Sequence, residues 1–225
     1  MAETRSGVVY HEPVEVTYKS KGNYFTLRDV RDRGKVAVYD FLKEMYPQMH
    51  FGDFFNRSAE DEEAERPHGA SAPLHIALMQ SGLRGSGKDE FRTFLYGALR
   101  GWPQAWTAVD FTPEGQPDRV VHNVGSRSQY ILEGNFVGPN LWIRDADGPT
   151  KKTLKAIFGI GRTKTLDKIS QSINGTNSYF WRRNSPQKQT ERSVARFSAN
   201  GDRLDLNCDR YPLVGYPAFR VLQTK

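Results

Sequence analysis

Seven residues near the C-terminal end, Arg203 to Asp209 (RLDLNCD), alternate strictly between apolar and polar side chains. A period of two is what a pleated strand imposes, so Leu204, Leu206 and Cys208 belong to one face and Asp205, Asn207 and Asp209 to the other. The apolar face anchors the strand in a core; the polar face is expected to be solvent-exposed and free to bind. Tyr211 continues the outward face, Pro212 ends the strand, and Val214, Gly215 and Tyr216 occupy a loop before the closing run PAFRVL. Clustered Tyr, Asn, Asp, Ser and Gly suits a recognition surface, because Tyr offers large contact area at low entropy cost and short polar residues adapt.

Upstream the pattern is mixed. Val8 to Thr17 reads as an edge strand interrupted by Pro13. Apolar residues at Val30, Val36, Val38, Phe41, Leu42 and Met45 predict a helix over Leu27 to Tyr46, stopped by Pro47. The acidic run Ser58 to Pro67 reads as a solvated loop or short exposed helix. Leu74 to Leu83 and Glu90 to Leu99 look like amphipathic helices joined by a glycine-rich turn. Ala105 to Phe111, Arg119 to Val124 and Tyr130 to Val137 read as strands between Pro, Gly, Asn and Ser. Helical periodicity returns from Lys152 to Ile173, and Phe180 to Leu222 is turn-rich with two short strands. One α+β domain spanning 1–225 accounts for this order, helices mainly first and a sheet meander after.

At 225 residues and 37% hydrophobic the chain can bury a substantial core. No apolar stretch approaches a membrane span, and Met-Ala-Glu-Thr-Arg-Ser lacks the apolar core of a secretory signal, so synthesis in the cytosol is expected. A single cysteine, Cys208, cannot form an internal disulfide and excludes a dithiol mechanism. From Thr176 to Lys225 nine basic residues face four acidic ones, most of the formal +6. They are interleaved with acids and aromatics, a weak nucleic-acid signature.

Two motifs compete with a binding role. Gly82 to Lys88 (GLRGSGK) fits a phosphate-binding loop, but Asp89 stands where a magnesium-binding hydroxyl is needed, and LHIALMQS before it fits a helix as well as the required strand. Leu154 to Ile169 resembles a helix-hairpin-helix that offers backbone amides to a DNA phosphate, with Arg162 and Lys164 alongside. The plainer alternative is a helix that begins near Thr163 after a Gly turn. The five histidines show no metal-ligand spacing, and no cofactor, metal site or catalytic residue is expected.

The order NSYFWRRNSPQKQTERSVARFSANGDRLDLNCDRYPLVGYPAFRVL, preceded by RVVHNVGSRSQYILEGNFVGPN, resembles the variable proteins of diversity-generating retroelements of archaea and their viruses. The resemblance is strongest from Arg119 to Val221. It implies a C-type-lectin-like fold: a small antiparallel sheet, flanking helices and a long loop-rich C-terminal variable region over 177–221, closed by pairing of Val8 to Thr17 with Phe219 to Leu222. It implies that a reverse transcriptase rewrites the gene, without acting on the protein, and that the altered residues line a ligand face. The matching positions are Arg183, Arg196, Ser198, Asp205, Asn207, Asp209, Tyr211, Val214, Gly215 and Tyr216. Altering adenines in Asn-type codons never yields Gln, Lys, Glu, Met or Trp, so Trp181, Gln187, Lys188, Gln189 and Glu191 belong to the constant framework. Oxidases that generate formylglycine share the fold but depend on paired cysteines, so the resemblance implies a binding protein and not an enzyme. Its partner would be a protein or glycan on a target surface, with the chain displayed on a virion or cell surface through another component. The alternative reading is a DNA- or RNA-binding protein using the Gly159–Lys164 turn and the basic C-terminal segment.

Overall fold

The computed structural model describes residues 23–85, 87–209 and 215–224. The expected strand Val8 to Thr17, and its pairing, lie outside the described residues. Where a helix was predicted, the chain forms a hairpin of β1 (Tyr24–Asp32) and β2 (Lys35–Leu42). Arg33 and Gly34 both take positive φ, 48° and 76°, the two-residue turn whose twist matches that of paired strands. The buried residues of β2, Tyr39 and Phe41, alternate strictly, but apolar side chains also stand on its other face and at its exposed end, Val36 being 56% exposed, and counting all of them together imitates a helical spacing. Pro47 does not stop a helix but lies within β3 (Tyr46–Met49).

The acidic run is also more structured than its composition suggests. Helix α1 (Phe51–Glu63) contains its first half, and Ser58 and Asp61 are buried. Asp61 accepts hydrogen bonds from the Tyr46 hydroxyl at 2.6 Å, from Arg57 Nε at 2.9 Å and from Arg66 Nε at 2.8 Å. After β4 (His68–Gly69) come the expected helix pair, α2 (Ala72–Gly82) and α3 (Lys88–Leu99). Ser71 caps α2 by accepting from the Leu74 N–H. The three predicted strands follow as β5 (Gln104–Phe111), β6 (Asp118–His122) and β7 (Tyr130–Gly134), then the short β8 (Leu141–Trp142). Helices α4 (Gly148–Phe158) and α5 (Thr163–Asn174) are separated by the Gly159 cap, and α5 starts where the plainer reading put it.

The C-terminal part is richer in strands than expected. It holds β9 (Asn177–Trp181), β10 (Glu191–Asn200), β11 (Arg203–Asn207), β12 (Tyr216–Ala218) and β13 (Arg220–Thr224). The sheet is not small: nine strands include the path β3-β12-β5-β10-β11-β9-β8, with β6 on β5 and β7 on β6. Nor is it wholly antiparallel, since β11 runs parallel to β9 and β12 to β5. A second sheet has the order β1-β2-β13-β4. The molecule is therefore α+β.

One large core joins the four-stranded sheet, α2 to α5 and one face of the nine-stranded sheet through Phe41, Leu78, Phe91, Phe158, Phe197 and Leu206. A smaller cluster lies on the opposite face, where α1 packs Phe54 and Phe55 with Trp106 and Val194. His122 links layers: its Nδ1 accepts from Thr107 Oγ1 at 2.9 Å and its Nε2 donates to the Ala156 carbonyl at 2.9 Å, while Thr107 Oγ1 accepts from the Ala72 N–H. A carbonyl can only accept, so Nε2 carries a proton, and burial keeps the ring neutral, which leaves Nδ1 as the acceptor.

Candidate functional site

The strand alternation divides β11 as expected: Leu204, Leu206 and, just beyond the strand, Cys208 turn into the large core. Burial pushes the Cys208 thiol well above its ordinary range, so it is not a reactive thiolate. On the opposite face three strands place polar and aromatic residues side by side. Arg196 of β10 stands opposite Asn207 of β11, which pairs with Trp181 of β9; Ser198 stands opposite Asp205, which pairs with Tyr179; Asn200 stands opposite Arg203, which pairs with Asn177. Trp142 of β8 pairs with Tyr179 and extends the second row.

Four of these candidates are not solvent-exposed. Arg196, Ser198, Asp205 and Asn207 retain 4%, 1%, 2% and 7% of their accessible surface. Alternation fixes which face a side chain takes, but not whether that face meets water, and here both faces of β10 are covered. Asp205 accepts from Trp181 Nε1 at 3.1 Å, from Arg203 Nε at 2.8 Å and from Asn200 Nδ2. The Arg203 guanidinium in turn lies over the Tyr179 and Trp181 rings, 5.6 and 5.7 Å from their centroids. Arg196 Nη2 donates to Asn207 Oδ1 at 3.1 Å and stands 3.7 Å from the Asp209 carboxylate. Its guanidinium lies between Trp102 and Tyr216, 5.9 and 4.9 Å from the ring centroids. The polar residues thus form a hydrogen-bonded floor, roofed by arginine and aromatic side chains.

The remaining candidates lie around this floor. Asp209 and Tyr216 are half-buried, and Arg183 pairs with Glu191 at 2.7 Å. Gly215 is a poor position for variation, since a Cβ there would come within 2.8 to 3.0 Å of the Met49 backbone. Tyr211 and Val214 lie outside the described residues.

Reading the strand alone misses Trp102, Tyr179, Trp142 and Arg203. Trp181, assigned to the framework by its codon, shares the same face and anchors Asp205. The period-two pattern of NSYFW carried a signal for Tyr179 and Trp181, with Ser178 and Phe180 turned inward. Trp102 takes φ 58°, a conformation costly for a bulky residue, and only the tertiary structure brings it beside Arg196.

The competing motifs resolve differently. Gly82 to Lys88 follows a helix, not a strand, and Gly82 exists because the Phe91 ring occupies the space of a Cβ. The basic C-terminal segment does not offer a row of open cations. Arg192 makes a double hydrogen bond to Asp110, Arg203 pairs with Asp202 and Asp205, and buried Arg182 donates to Thr150, Thr153 and the Pro139 carbonyl. Among the described residues no group of three or more His, Cys, Asp or Glu side chains could hold a metal ion, and no helix is long and apolar enough to cross a membrane. No family model, curated protein or solved structure matches this chain.

Proposed function

We propose that the chain is a ligand-binding protein of the diversity-generating-retroelement type, built on a C-type-lectin-like fold and using the face of β9, β10 and β11 for recognition. The observation that carries this reading is the patch of half-buried Trp102, Tyr179, Trp181 and Tyr216 around the buried polar floor of Arg196, Ser198, Asp205 and Asn207, which the β10–β11 hairpin brings onto one face. Half-buried aromatic rings beside arginine are the side chains that dominate binding energy where proteins meet partners. A protein or glycan on a target surface suits this chemistry. The role is binding and not catalysis, with display on a virion or cell through another component.

Burial narrows the diversifiable set. Replacing a residue of the floor strands its hydrogen-bond partners, whereas Arg183, Asp209 and Tyr216 at the margin are less enclosed. Variation should therefore be freest at the margin and coupled within the floor, with Asp205 changing only alongside Asn200 or Arg203 while Trp181 stays constant. Sequencing the gene and its flanks from many isolates tests the reading. The expected result is an imperfect repeat of codons 177 to 221 differing at adenines, beside a reverse transcriptase gene. Substitutions spread evenly over the chain, with no such repeat, would refute it.

A further inference from the structure

Away from the β9–β11 face, the turn between α4 and α5 meets α2 and the β1–β2 hairpin around a cleft of about 710 Å³. Arg31, Arg84, Lys155 and Arg162 line it, with Asp29 the one acid lining it among the described residues. A neighbouring cleft of about 380 Å³ shares Arg31 and Lys155 and adds Arg33, Asp32 and the Tyr130 ring. Asp32 is already engaged, 3.0 Å from Arg33. The surrounding stretch 148–174 carries Lys151, Lys152, Lys155, Arg162, Lys164 and Lys168 against Asp167 alone.

These cations differ from those of the C-terminal segment in what they touch. Arg84, Lys155, Lys164 and Lys168 are exposed and make no ion pair among the described residues, while Arg183, Arg192 and Arg203 each meet a carboxylate. Gathering uncompensated like charges is unfavourable for the fold itself and favourable for a polyanion. The backbone adds to this, because α5 opens at the cleft with no side-chain cap at Arg162; the Thr165 N–H is taken by the Arg162 carbonyl, and those of Thr163 and Lys164 face an acceptor from outside the helix.

We infer that this cleft holds the phosphate backbone of a nucleic acid, with phosphates held by Arg84, Lys155 and the Gly159–Arg162 turn. The site is independent of the recognition face, so either can fail without the other. Fluorescence anisotropy of the full chain with labelled single-stranded and duplex DNA, titrated with salt, tests it. Affinity should fall steeply with salt, and the arm that binds more tightly identifies the strand form. Lys155→Glu and Arg84→Glu should each weaken binding about tenfold and flatten the logarithmic salt slope by roughly one. Lys188→Glu, with the same charge change outside the cleft, should have little effect. Lys155→Gln, gentler on the fold, should weaken binding in the same direction, and thermal melts check that each variant is folded. The inference is overturned by absence of DNA binding at low salt, by equal weakening from Lys188→Glu and Lys155→Glu, or by binding confined to phosphatidylserine vesicles.

Discussion

Asp205→Ala separates two accounts of the same strand: an exposed residue free to vary, or part of a buried polar network. Asp205 is 2% exposed and accepts from Trp181, Arg203 and Asn200. Alanine leaves three donors without this acceptor. Arg203, with 29% of its side chain accessible, can turn to water and should contribute little. The Trp181 and Asn200 side chains are shorter-reaching and part-buried, and leaving a buried donor unmade costs about 1 to 3 kcal/mol. Two such donors give roughly 2 to 6 kcal/mol of destabilisation, the lower part of that range for bonds only part-buried. Asp205→Asn should fall between, because its carbonyl replaces one acceptor while its amide faces the remaining donor. Asp202→Ala is the control: 69% of that side chain is exposed, so its loss should stay within about 0.5 kcal/mol. Urea unfolding, with the slope checked for constancy, measures all three. If Asp205→Ala unfolds within about 0.5 kcal/mol of the parent, the hydrogen-bonded floor does not support the fold and the face is free to vary.

Leu206→Ala should cost about 2 to 5 kcal/mol in the same assay, through a cavity in the large core, and a smaller loss would mean the strand collapses around the gap. Gly82→Ala should cost about 1 to 3 kcal/mol by forcing Phe91 aside, whereas Lys88→Ala should stay within about 0.5 kcal/mol, and thermal melts of the pair distinguish a packing glycine from a phosphate loop. His75 and His122 are held neutral by burial, each pushed down to about 4 from an ordinary 6.5. The unfolded chain therefore takes up protons below pH 6.5 that the fold refuses. Their contribution is complete above that pH and is lost as pH falls toward 4, by roughly 3 kcal/mol per ring. Unfolding midpoints measured across that range should fall, and His75→Gln should flatten the dependence.

Much of the scaffold was legible because its signals are local. The helix pair α2 and α3, the strands β5 to β7, and the start of α5 follow from apolar period and turn residues. The two faces of β11 follow from alternation in seven residues. The β1–β2 hairpin was not legible as a hairpin, because apolar residues stand on both faces of β2 and the Arg33–Gly34 turn is a less familiar pair than Asn-Gly. Asp61 shows a similar limit: an acid within an acidic run looks solvated until Tyr46, Arg57 and Arg66 are brought to it. Exposure of the candidate face was the largest error. Depth depends on what packs above a strand, and Trp102 and Tyr216 reach Arg196 from positions distant in the chain, which no local pattern records.

The order β1-β2-β13-β4 places a strand made after every other described strand in the interior of its sheet. The β1–β2 hairpin can close early, because its partners are neighbours in sequence, yet β2 keeps an open hydrogen-bonding edge until Val221 to Thr224 arrive opposite Phe41 to Val38. During synthesis that edge is a template for any extended segment within reach, including another nascent chain. Lys35 at one end and Asp40 within β2 interrupt its apolar run, a brake on such mispairing. Final assembly therefore waits until β13 has emerged from the ribosome, and the same late strand leads directly out of the region whose sequence the proposed function requires to change.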